Sequence, residues 1–290
     1  MFSQILEVTL PVFGIAMLGY LYGRLSGSEM DSANRVNMNL FVPALLFYVL
    51  SEKIPDSPEW RAIAWGTLII VLGSGLLTWP LARLLKFRSQ VILPPMMFNN
   101  SGNLGLPLAA LAFGEEMLPF AVVAFVVSTS LHFSLGIWLV SGRLDPMSLL
   151  KNPVFLATAA GIAAHISDWH TPALILPGLE MISKVAIPLM LVALGVRLIH
   201  VDISHWKAGL AGALLCPATG VISAIAAIVF LQPSEEMSKI LLLFSVLPPA
   251  VMNFLLAERY HLASDEVASM VAFGNLASLA VIPLALVFIL

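Results

Sequence analysis

The chain has 290 residues, 59% of them hydrophobic and 11% charged, with a net charge of -3 and a mean hydropathy of +0.96. A soluble domain carries about 25% charged residues, so this chain cannot cover itself against water and lipid must be its solvent. It has no basic run and no interleaving of aromatic with basic residues, which excludes nucleic acid as a partner. Its single cysteine, Cys216, excludes an intrachain disulfide and a cysteine-rich metal site.

A membrane span needs about 20 mostly apolar residues, fewer where the helix is buried in protein. In chain order the pattern predicts ten spans, at 4–23, 34–51, 61–83, 90–113, 117–140, 153–168, 180–199, 206–231, 237–258 and 265–290. No Lys or Arg precedes Arg24, so the charged start of a cleaved signal is missing and the first segment is expected to stay as a membrane helix. Trp60, Trp138, Trp169 and Trp206 sit near span ends, where amphipathic rings belong. Cys216 lies in the apolar run GALLCPATG and reads as packing.

The basic residues set the orientation. Arg24, Arg35, Arg83, Lys86, Arg88, Arg143, Lys151, Arg197, Lys207 and Arg259 flank one side, and Lys53, Arg61, Lys184 and Lys239 flank the other. The positive-inside rule then places both termini outside. A multi-pass protein of the cell (inner) membrane is expected.

The chain also resembles itself at about half its length. Phe41-Val42-Pro43-Ala44-Leu45 lies over Ala186-Ile187-Pro188-Leu189-Met190, Trp60-Arg61 over Trp206-Lys207, and Leu111-Ala112 over Leu256-Ala257. Five spans per half is an odd number, so the halves, 1–145 and 146–290, must lie inverted. Inverted repeats are a signature of secondary transporters.

The fourth span of each half is interrupted. FNNSGNLGLPL, from Phe98, carries Asn99, Asn100, Ser101, Gly102 and Asn103 in a row, and SVLPPAVMNF, from Ser245, carries Pro248, Pro249 and Asn253. Proline removes an amide donor and clashes with the preceding turn, and glycine permits backbone angles that other residues resist. Freed peptide groups are costly in hydrocarbon, so both breaks must be buried in protein or line a wet cavity. Half-helices starting near Leu104 and Pro249 would aim free amides at the midplane. These eight residues form the expected substrate site. No Lys or Arg falls in the middle of any span. An anion there must be held by amides and helix ends, and the expected cargo is a small organic anion.

These motifs carry a family resemblance. Gly105 to Gly114, GLPLAALAFG, preceded by Asn100, resembles the fourth-helix motif of the auxin efflux carrier family. Leu247-Pro248 through Ala257-Glu258-Arg259-Tyr260 resembles its ninth-helix motif, and Asn37 to Phe47 resembles its second helix. The resemblance implies an all-α membrane protein of ten helices in two inverted five-helix repeats, with broken helices 4 and 9 crossing. It implies a scaffold of helices 1, 2, 6 and 7, a homodimer, and a mobile transport domain of helices 3–5 and 8–10. Asn100 then matches the substrate-contacting asparagine of the plant carriers, and Pro248 their crossover proline. Asn99 stands where plant members have proline, and their long cytoplasmic loop is absent. The likeness is therefore to a small prokaryotic relative.

Further polar residues are candidates for ion coupling, to Na+ or H+. His132 falls in mid-span 5, where ionisable groups are functional suspects, though it also reads as a hydrogen-bonded packing residue. Ser128 and Ser130 precede it, and Asn275 of span 10 lies over Ser130 at the repeat offset. These side chains either complete an oxygen-rich ion site or bond their own helix backbone. Glu258 lies beyond the second break and is either a coupling group or a solvated end charge. No other cofactor is expected.

Two rival classes remain. A hydrolase would pair Ser101 with His132 as base, but no third group orients the histidine and no H-E-x-x-H is present. No enzyme is expected. A channel would not need paired breaks in inverted repeats.

Overall fold

The computed structural model describes residues 2–27, 30–143, 150–200 and 204–290. The expected boundary between repeats, at 145 and 146, lies outside them. The described residues are helical, with no strand among them. In chain order, α1 is Phe2–Ser26. Next, α2 (Asp31–Val36) runs through a π-helical turn, Asn37–Phe41, into α3 (Val42–Glu52). Then come α4 (Glu59–Leu84), α5 (Ser89–Met97), a π turn at Ser101–Gly105 and α6 (Leu106–Phe113). A further π turn, His132–Gly136, joins α7 (Leu118–Leu131) to α8 (Ile137–Ser141). The rest are α9 (Pro153–Ile166), α10 (Leu176–Ser183), α11 (Ala186–Arg197), α12 (Trp206–Leu231), α13 (Glu235–Ser245), α14 (Val251–Arg259) and α15 (Ser264–Ile289).

Six helical stretches are long and apolar enough to cross a membrane: Phe2–Ser26, Glu59–Leu84, Leu118–Ser141, Leu176–Arg197, Trp206–Leu231 and Ser264–Ile289. The other four segments of the sequence reading fall short for physical reasons. Two are interrupted, at 98–100 and 246–250, α9 has 14 residues, and α2 opens on the polar run Asp31-Ser32-Ala33-Asn34-Arg35.

In lipid, helices associate by close packing, because the tails are as apolar as the side chains. Glycines set that packing here. A Cβ on Gly195 of α11 would lie 1.8 Å from the Ala16 carbonyl oxygen of α1, and one on Gly19 would lie 2.3 Å from that of Val192. Likewise α12 presses Gly212 on Met270 of α15 and Gly220 on the Ser245 carbonyl. The densest packing falls in three sets: α1 with α11, α3 with α9 and α10, and α4, α5, α7, α12, α13, α14 and α15 together. Outward-facing Leu10, Leu76, Leu214, Val229, Phe230 and Phe288 are exposed, as lipid-facing positions would be.

The crossing of the broken helices as a candidate functional site

The first break is shorter than the sequence suggests. After α5 the chain is extended at Phe98 (φ -110°, ψ 96°), and it turns at Asn100 (φ -79°, ψ 54°). It is helical again from Ser101, where the Asn100 carbonyl accepts from both the Leu104 and Gly105 amides at 3.2 and 3.1 Å. The half-helix therefore starts at Ser101, not near Leu104. Pro107 is tolerated because it stands in the first turn of α6. The second break runs from Val246 to Ala250, where Pro248 and Pro249 have no amide to donate, and α14 resumes at Val251.

The two breaks meet. Residues 98–100 pair antiparallel with 248–250, centred on Asn99 opposite Pro249. The Asn100 amide donates to the Pro248 carbonyl at 2.7 Å, and the Ala250 amide donates to the Phe98 carbonyl at 3.0 Å. Thus two amides that would otherwise point free into the bundle satisfy each other's strand. The sequence offset sets Asn99 against Phe244 instead, and it is the Phe244 carbonyl that the Asn99 side-chain amide reaches.

Asparagine side chains absorb the remaining freed carbonyls. Asn253 Nδ2 donates to the Phe98 and Ala250 carbonyls, both at 2.9 Å. Asn275 Nδ2 donates to Pro249 at 3.2 Å and to Val271 at 2.8 Å, and Asn275 Oδ1 accepts from Asn100 Nδ2 at 3.2 Å. Asn100, Ser101, Asn253 and Asn275 are buried, and Gly102 and Asn103 are half-buried. Among the described residues, the amides of Gly102, Asn103, Val251 and Met252 have no carbonyl partner, as expected in a first helical turn. The crossing thus offers two helix N-termini and an asparagine cluster inside an apolar bundle. It can hold an anion by N–H donors without a fixed cation.

Most predicted residues converge here. Asn99, Asn100, Pro248, Pro249, Asn253 and Asn275 share one hydrogen-bonded network, with Ser101, Gly102 and Asn103 in the turn that follows. His132 is also buried, and its ring stacks on Phe98 with centroids 4.3 Å apart. Ser128 is buried and Ser130 half-buried, about one turn before His132. Glu258 stands apart, exposed in the last turn of α14. Among the described residues no group of three or more His, Cys, Asp or Glu could hold a metal.

Sequence reasoning missed Phe98, whose carbonyl and ring both serve the crossing. It also missed Gly274, where a Cβ would lie 2.4 Å from Pro249 Cδ. Only the glycine beside Asn275 signalled that close approach. It missed a cavity of about 810 Å³ as well, walled by α1, α3, α6, α7, α10 and α11. Pro107, Ala110, Ile187 and Pro188 line it, and Lys53, Glu115, Glu116, Glu180 and Lys184 ring its mouth. The crossing asparagines do not line it.

A helical bundle with lipid-like exposure and a buried polar crossing of two interrupted helices is the build of a membrane transport protein. The sequence model of a family described as "Membrane transport protein" matches residues 4–146 and 137–286. The chain belongs to this family, that of the auxin efflux carriers, whose motifs it carries, and it is a transport protein rather than an enzyme. Relatives are similar over nearly their whole length. An "Uncharacterized transporter" of Methanocaldococcus jannaschii is 24% identical over 96% of this chain and 97% of its own. A "Putative malonate transporter" of Rhizobium meliloti is 24% identical over 97% and 94%. An "Uncharacterized transporter" of Methanothermobacter thermautotrophicus is 27% identical over 96% of each.

Proposed function

We propose that the protein is a secondary active transporter of a small carboxylate, bound at the crossing of the two broken helices and moved by an elevator-type mechanism. One observation carries this reading: the reciprocal pairing of Phe98–Asn100 with Pro248–Ala250, which gathers two helix N-termini around buried asparagines. Helix-end charge contributes about 0.3–1 kcal/mol when exposed and up to about 2 when partly buried. A hydrogen bond to a charged group adds about 1.5–3 kcal/mol. A few such terms give roughly micromolar to millimolar affinity, which lets a carrier release its cargo.

The architecture supports the same reading. Glu59–Leu84 and Trp206–Leu231 are both 26 residues long, and the pairing at the crossing maps each break onto the other. This favours ten spans in two inverted repeats. In this reading the set of α4, α5, α7 and α12–α15 is the transport domain, and the α1–α11 and α3–α9–α10 sets form the scaffold. The cavity runs along their boundary and opens among Lys53, Glu115 and Lys184, the end that the charge asymmetry assigns to the outside. Both termini share that side, in a homodimer of the cell membrane. Transport is coupled to an ion gradient of Na+ or H+. The name of the Rhizobium relative makes malonate the first cargo to test.

The test is uptake of radiolabelled malonate by purified protein in liposomes, with other mono- and dicarboxylates as competitors. Saturable uptake, and exchange against internal malonate, are expected. Transport of cations or neutral solutes alone would defeat the anion reading, and unsaturable flux at channel rates would favour the channel.

A further inference from the structure

His132 is 6% exposed and its Nε2 has no hydrogen-bond partner. Its ring lies flat on Phe98, with 5° between planes. Phe98 is the residue whose carbonyl takes the Ala250 amide and the Asn253 side chain at the crossing. Gly136, about one turn on, leaves room for the stack: a Cβ there would lie 2.8 Å from His132 Cδ2 and 2.9 Å from Phe98 Cε2. The backbone from His132 to Gly136 is a π turn, a feature common at functional sites.

Asn253 is tied to Phe98 too, since its side chain donates to the Phe98 carbonyl while the imidazole stacks on the Phe98 ring. Its amide nitrogen is committed to two carbonyls, which leaves Oδ1 as a buried acceptor with no donor. A neutral imidazole has one N–H and a protonated one has two. A protonated ring can therefore donate to this oxygen and still hold a second N–H for an anion. No charged group faces the ring. The helices packed on this segment carry their charges near their ends: Glu59, Arg61 and Arg83 on α4, Glu235, Glu236 and Lys239 on α13, Glu258 and Arg259 on α14, and Glu52 on α3. The only counter-charge that can arrive beside an imidazolium here is an anion at the crossing.

We infer that His132 and Asn253 form a proton-binding site that couples the carrier to a proton gradient. The proton adds to His132 and donates to Asn253 Oδ1 as the carboxylate binds across the Phe98–Asn100 segment. Each charge favours binding of the other, so proton and anion load and leave together. Such coupling is reciprocal by linkage. The bound pair also has a smaller net charge than the anion alone, which eases its movement through an apolar bundle. This inference rests on the anion-transport reading above.

The test uses the same liposomes, with the membrane potential held at zero by potassium and valinomycin. One proton per anion gives about tenfold accumulation of the labelled dicarboxylate per pH unit, acid outside. Dye trapped in the vesicles should also report acidification when dicarboxylate is added at equal pH. In His132→Gln, with His132→Asn as substitute should the first not fold, uptake with and without the gradient should become equal, at whatever rate remains. A histidine that merely packs would change the rate and leave that ratio intact. Wild-type exchange without acidification, or a variant that keeps the gradient response, overturns the proton site. A wild-type protein that does not exchange dicarboxylate at all overturns the transport reading on which it stands.

Discussion

Asn100 shows what one residue does at the crossing. Its amide ties the two breaks together, its carbonyl starts the next half-helix, and its side chain donates to Asn275. Asn100→Ala would remove a donor from the proposed anion site and leave Asn275 Oδ1 buried without a partner. An unpaired buried acceptor costs about 1–3 kcal/mol, so the melting temperature should fall by several degrees. Uptake at low substrate should fall about tenfold or more. Asn100→Asp should be worse for uptake, because it sets a negative charge against the cargo. A lower melting temperature with unchanged uptake in both variants would make Asn100 purely structural. Asn100 was legible because a polar run in an apolar span demands a buried partner. That Phe98 joins Asn253 to His132 was not, since two residues more than a hundred positions apart meet on it only by the way α14 packs on α5 and α8. Phe98 was invisible for a related reason: its role rests on a backbone carbonyl, which every residue has.

At the scale of elements, the two interruptions could be located from proline, glycine and asparagine, but their extent could not. Residues 101–105 look like loop by composition. They form a π turn because the Asn100 carbonyl accepts from two successive amides. Close helix approach was equally hidden, since a glycine does not announce its neighbour. Gly274→Ala should disrupt the crossing, because the pyrrolidine ring of Pro249 has no room to move from a Cβ at 2.4 Å. A loss of uptake and a lowered melting temperature are expected. Gly178→Ala in α10 is the control. A Cβ there meets nothing within 4 Å, and alanine is better in a helix by about 1 kcal/mol. Equal effects of the two substitutions would show that the close contact at the crossing is not what matters.

A second element-level device closes one end of the bundle. Glu52, at the end of α3, accepts from the Thr171 amide at 2.8 Å and from its hydroxyl at 2.6 Å, and lies 3.7 Å from His170 Nδ1. Burial acts to raise its pKa, but the Thr171 hydrogen bonds and His170 outweigh it and hold the carboxyl below its ordinary 4.5. A depressed folded value means that stabilisation is complete above the unfolded value and fades as pH falls through the lower one. Glu52→Gln should therefore lower the melting temperature at pH 7, and the gap from wild type should close as pH drops below about 4.5. A gap that persists unchanged into acid would show that the charge of Glu52 does not hold the 167–175 connection.

For the molecule as a whole, the sequence reading reached the solvent, the helical class and the family, because composition and the two broken-helix motifs record them directly. It could not find the cavity, which exists only between helices. That cavity is the observation with the widest consequence. Its walls come from α1, α3, α10 and α11 together with α6 and α7, Leu111 of α6 and Ile187 of α11 both lining it, and its charged residues gather at one end. The crossing asparagines do not line it. If cargo is carried at the crossing as proposed, the set of α4, α5, α7 and α12–α15 slides past the remaining helices, and the cavity closes as its counterpart opens at the other end. Spin labels on cysteines at 111 and 187, with Cys216 replaced, should report two distances whose proportions shift with dicarboxylate. Labels on Leu156 of α9 and Met181 of α10, both exposed and both on helices packed against α3, should keep one distance throughout. Were the 111–187 distance single and fixed in every condition while uptake persists, the helix sets would not move as rigid bodies and the elevator would be replaced by local gating at the crossing.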